Sequence, residues 1–105
     1  MDQKLVITFR TRLNPGHEAE LASLGARMYE LATTTPGFLA YKDYAAADGE
    51  YVSIVEFDSA ENLARWRNHP EHVAAQQAGR ERLFAWYQIQ VCEVIREYAF
   101  GVPVA

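Results

Sequence analysis

An α+β sandwich, with two helices laid over one face of a four-stranded antiparallel sheet, is the fold this sequence predicts. Three observations carry it. Apolar residues alternate at period two near both ends of the chain and in its middle. Two intervening stretches repeat apolar residues at helical spacing. An Asp-Gly pair between two of the strand-like runs marks a hairpin turn. In chain order the elements read β-α-β-β-α-β, the ferredoxin-like arrangement.

The first strand covers about Lys4 to Leu13, where Leu5, Ile7, Phe9 and Leu13 alternate with Lys4, Thr8, Arg10 and Arg12. Asn14-Pro15-Gly16 stops it, with Asn14 placed to cap a helix and Pro15 suited to its first turn. That helix runs from about Gly16 to Thr33, with Leu21, Leu24, Met28 and Leu31 as its apolar stripe. Three threonines and Pro36 end it, because Pro disfavours the α conformation of the residue before it. Strands follow at about Phe38–Ala45 and Tyr51–Phe57, joined through Asp48-Gly49. Ser59 is the expected N-cap of a second helix that carries Leu63 and Trp66, breaks at His69-Pro70 and resumes to about Phe84. The last strand is expected from Tyr87 to Phe100, with Ile89, Val91 and Ile95 on one face and Cys92, Val94, Tyr98 and Phe100 on the other. Gly101-Val102-Pro103 closes the chain.

A chain of 105 residues is the size of one domain, residues 1–105, and can bury a core without staples. Half its residues are hydrophobic and 12% are aromatic, which excludes a disordered chain. A net charge of −4 gives no basic footprint for nucleic acid. No apolar run reaches membrane-span length, and the N-terminal stretch has no hydrophobic leader. The single cysteine, Cys92, is expected as buried packing in a reducing compartment, the cytoplasm. Neither a metal-ligand constellation nor a glycine-rich phosphate loop is present in the sequence.

Two helices cover one face of the sheet. On the other the expected residues are Val6, Thr8, Leu39, Tyr41, Val52, Ile54, Cys92, Val94 and Tyr98, too apolar a set for open water. A second copy stacked sheet on sheet, an isologous homodimer burying on the order of 2,000 Å², is the expected cover.

The densest chemical grouping lies in Trp66–Arg80, WRNHPEHVAAQQAGR. His72, Gln76 and Arg80 recur every four residues and so share a helical face, with His69 beside it at the start. Three destinations are open to this row: a pocket between helices and sheet, solvent, or a dimer edge. In a pocket, His72 is the candidate general base, Arg80 the partner for a carboxylate, phenolate or peroxide, and Gln76 an orienting group. Trp66, His69, Phe9 and Tyr29 are candidates for binding an aromatic small molecule.

The element order, the segment TPGFLAY after the first helix, and NLARWRNHPEHVAAQQAGRERLFAWYQIQVCEVIREYAF resemble the antibiotic biosynthesis monooxygenase family of dimeric α+β barrels. The resemblance spans about Leu5 to Phe100. It implies a homodimer with a pocket between helices and sheet in each subunit, and an oxygenase acting on an electron-rich aromatic without a bound cofactor. Against the haem-degrading branch, Trp66 matches, but Gln76 stands where that branch has its axial His and Phe9 stands near its Asn. Against the branch that oxidises phenolic or anthrone-like polyketides, Ser53 and Phe57 stand near the expected Asn and Trp of the third strand. A haem-binding dimer and a non-catalytic ligand-binding dimer are therefore the alternatives to be weighed.

Overall fold

The computed structural model describes residues 3–101. Val102 and Pro103 of the expected chain end lie outside the described residues. The elements are β1 (Leu5–Leu13), α1 (Glu18–Thr34), β2 (Phe38–Ala45), β3 (Tyr51–Phe57), α2 (Ala60–Arg67), α3 (Pro70–Ala78) and β4 (Phe84–Glu93), with a π-helical turn at Gly79–Leu83 leading into β4. The four strands form one antiparallel sheet in the order β2-β3-β1-β4, which is the ferredoxin-like topology.

The core forms where the apolar parity of β1 and β3 meets the stripes of the helices. Leu5, Ile7, Val55 and Phe57 project from the sheet against Met28, Leu31 and Ala32 of α1 and Leu63 and Trp66 of α2. Phe57 is fully enclosed, stacked on Trp66 at 5.7 Å and edge-on to Phe38. Ser59 caps α2 as expected, accepting from the Asn62 backbone N–H at 3.2 Å. Gly37, in the turn before β2, has φ +84°, and its carbonyl accepts from the Asp58 N–H at 2.9 Å. A side chain there would meet Asp58 and Asn62 within 3 Å, so the turn presses directly on the start of α2.

Four details depart from the sequence reading. Asn14 is not a helix cap: its N–H and side-chain amide bond the carbonyls of Leu83 and Arg82, tying the end of β1 to the π-turn, and α1 begins only at Glu18. The helical run after Pro70 ends at Leu83, close to the expected Phe84, but not as one α-helix. It leaves α geometry at Gly79, where a Cβ would lie 3.0 Å from the Phe84 ring. β4 starts at Phe84 and ends at Glu93, seven residues before the expected end at Phe100. Val94 donates to the Lys4 carbonyl, the last ladder bond among the described residues, and beyond it Ile95, Tyr98 and Phe100 are exposed. Tyr41 pairs with Val55 and points to the helices, not to the open face, because an irregularity at Leu39 shifts the parity of β2.

Val6, Thr8, Val52, Ile54 and Cys92 do share the uncovered face, adjacent through the pairs Val6↔Cys92 and Thr8↔Ile54. Cys92 is exposed there, contrary to the expected burial, since none of the described helices reaches that side. Among the described residues no helix is long and apolar enough to cross a membrane.

Candidate functional site

The helices cover β1 and β3 but leave the inward side of β4 open. Ile89 and Val91 are 41% and 47% exposed although they point to the helix side, and Leu21 and Leu24 of the α1 stripe are only half-buried. The space between them is a cleft of about 820 Å³, lined on the sheet side by Phe9, Tyr41, Ser53, Tyr87, Ile89 and Val91. Its size and largely apolar, aromatic lining suit a small organic ligand.

The polar row faces this cleft. His72 and Gln76 of α3 and Arg80 of the π-turn all line it, as do Trp66, Phe9 and Tyr29. His69 does not. Its Nδ1 accepts the Glu71 N–H at 3.1 Å as the N-cap of α3, which turns the imidazole away from the opening. Trp66 is mostly a core residue. It is 6% exposed, donates from Nε1 to the Met28 carbonyl at 3.2 Å, and meets Tyr41 and His72 edge-on at 6.2 and 4.4 Å.

His72 is the electrostatically unusual member. Its Nδ1 is buried with no hydrogen-bond partner among the described residues. Burial, reinforced by the charges of Arg67 and His69, pushes its pKa from 6.5 down to about 4. The ring is therefore neutral in ordinary buffers. A buried, unpartnered nitrogen is best accommodated as the bare acceptor, which leaves the proton on Nε2.

The depressed value makes a stability prediction. Above pH 6.5 the folded and unfolded states both hold this histidine neutral, so it adds no pH dependence. Between pH 6.5 and about 4 the unfolded chain takes up a proton that the folded protein refuses, so stability falls as pH falls. Allowing for the ring's partial exposure, the loss should be about 2 kcal/mol. His72→Phe should lose that much less than wild type between about pH 7 and pH 4 in urea unfolding. Parallel pH profiles would contradict a buried neutral ring.

Sequence reasoning missed the charged lining groups Glu18, Asp43 and Arg67. Ser53 Oγ donates to Asp43 Oδ1 at 2.5 Å across the β2–β3 pair. Burial raises the Tyr41 phenol above its ordinary value, as does the nearby Asp43 carboxylate, against a smaller opposing effect from Ser53. This group was accessible in principle, because the Asp48-Gly49 hairpin sets Asp43 opposite Ser53. Arg67 gave no signal, since its direction depends on where α2 breaks.

Comparisons with known proteins bear on this geometry. The model of the antibiotic biosynthesis monooxygenase family matches residues 4–78. YqjZ of Bacillus subtilis (strain 168), an uncharacterized protein, is 36% identical over 74 residues. That match covers 70% of this chain and 65% of YqjZ, so it spans just under two-thirds of that protein's own length. Rv0793 of Mycobacterium tuberculosis superposes with a TM-score of 0.80 at 22% identity, over 91% of this chain and 99% of that one. SnoaB of Streptomyces nogalater, described as a cofactor-independent oxygenase, superposes with a TM-score of 0.75 at 20% identity, over 91% and 96% of the two chains. The structural likenesses support the fold, and the matched sequence from Lys4 to Ala78 supplies the family: the chain belongs to the antibiotic biosynthesis monooxygenases.

Proposed function

We propose that the cleft is the active site of a small monooxygenase. Its substrate is an electron-rich aromatic, phenolic or anthrone-like, that reacts with O₂ without a bound metal or flavin. The observation that carries this reading is the convergence of His72, Gln76 and Arg80 on one aromatic-lined cleft of about 820 Å³. The description of SnoaB as a cofactor-independent oxygenase supports it by likeness of fold.

In this reading the substrate supplies its own electrons. A diaryl CH₂ becomes a C=O with one oxygen atom of O₂, and the other oxygen leaves as water with the two hydrogens. Arg80 stabilises the phenolate or peroxide oxyanion by charge-assisted hydrogen bonding. That lowers the acidity barrier which a neutral His72 would overcome poorly as a base. His72 offers Nε2–H to a substrate oxygen, and Gln76 fixes the ring's orientation. Tyr29, Phe9 and Trp66 supply the aromatic walls.

Haem fits this donor set poorly. Gln76, a poor haem ligand, occupies the position that the resemblance assigns to the axial histidine. We further propose that a second copy covers the open sheet face, making a homodimer. The test is oxygen uptake on a panel of quinols and anthrones, using protein whose mass is first measured by equilibrium sedimentation. Twice the 11.9 kDa chain mass and O₂ consumption with at least one substrate are expected. No uptake with any of them counts against the oxygenase, and a species of single-chain mass counts against the dimer.

A further inference from the structure

Four side chains lining the cleft carry full charges: Glu18, Asp43, Arg67 and Arg80. The two carboxylates are already engaged. Glu18 accepts from the Gly16 N–H at 3.3 Å, and Asp43 accepts from Ser53. The two guanidiniums have no hydrogen bond or ion pair among the described residues. This is not the habit of the chain. Five of the other six arginines, Arg10, Arg12, Arg27, Arg65 and Arg82, each pair with a carboxylate, the exception being Arg96 beyond β4. Arg67 and Arg80 also stand at opposite ends of α3, whose nine residues rise about 13 Å.

We infer that Arg67 is a carboxylate anchor, and that the cleft takes aromatic acids whose ring system lies along α3 from Arg67 toward Arg80. The inference rests on the oxygenase reading for what happens at Arg80, but not for the binding itself. A free guanidinium fork beside an apolar cleft is preset for bidentate recognition of a carboxylate. Trp66, immediately before Arg67, and Tyr41 supply the aromatic surface next to it. The charge of Arg67 is also felt at His72, one of the influences that keep that ring neutral. A carboxylate bound at Arg67 offsets that influence, while burial, the larger cause, still holds His72 low.

The experiment is calorimetric titration with anthraquinone-2-carboxylate and with its uncharged carboxamide. Both are already oxidised, so binding is read without turnover. Wild type should bind the acid at least about tenfold more tightly than the amide, a typical return for one charge-assisted pair. Arg67→Gln should remove that preference by weakening the acid and leaving the amide unchanged. Arg80→Gln should keep the acid-to-amide ratio. Arg67 is exposed and unpaired among the described residues, so its replacement does not threaten folding. Equal binding of acid and amide, binding of neither, or an undiminished ratio in Arg67→Gln overturns the assignment. If the acid preference holds while no quinol or anthrone consumes oxygen, the oxygenase reading falls and the anchor stands. If oxygen is consumed but acid and amide bind alike, the anchor falls alone.

Discussion

Trp66→Ala should destabilise the protein by about 3–5 kcal/mol, a typical cost of emptying a large aromatic site. The indole is 6% exposed, stacks on Phe57, and closes the core between α1, α2 and the sheet. Its removal also strips the Nε1 donor from the Met28 carbonyl, which keeps its bond within α1 and loses its second partner. For a domain of this size the thermal midpoint should fall by roughly 15–25 °C. Trp66→Phe separates the two contributions. It keeps most of the stacking, loses the donor, and should cost about 1–2 kcal/mol. A thermal scan in which Trp66→Ala falls by only a few degrees would mean that the indole belongs to the cleft more than to the core.

The second large effect concerns rate. Arg80→Gln should lower kcat/KM for O₂ consumption about a hundredfold, the usual loss when one oxyanion donor is removed. Stability should stay within about 0.5 kcal/mol of wild type, because Arg80 is exposed and unpaired among the described residues. Arg80→Lys should recover only part of the rate, since a point charge does not reproduce the planar fork. An unchanged rate in Arg80→Gln would return the polar row to an ordinary solvated helix face.

The fold was legible because each element announced itself locally. Period two in LVITFRTRL, the Asp48-Gly49 turn and the Ser59 cap are short-range signals, and the structure contains each of them. The row His72, Gln76 and Arg80 was legible for the same reason, since helical spacing fixes which residues share a face. What escaped depended on relations between distant segments. The length of β4 is set by where β1 starts. The direction of Tyr41 is set by an irregularity at Leu39. The role of His69 is decided by its own backbone at the helix start. Whether Arg67 faced a cleft could not be read before the break between α2 and α3 had a geometry.

The π-helical turn has a consequence beyond placing Arg80. The Phe84 N–H bonds the Gly79 carbonyl, closing the wide ring of a π-turn. The turn therefore sets the phase between a rotation of 3.6 residues and an alternation of two. Deleting any one of its residues would restore ordinary winding and advance β4 by a single step against β1. Odd and even would exchange along the whole edge strand. Gln88 and Gln90 would then look inward and Ile89 and Val91 outward, so the chamber would exchange its oily wall for amides while every helix kept its shape.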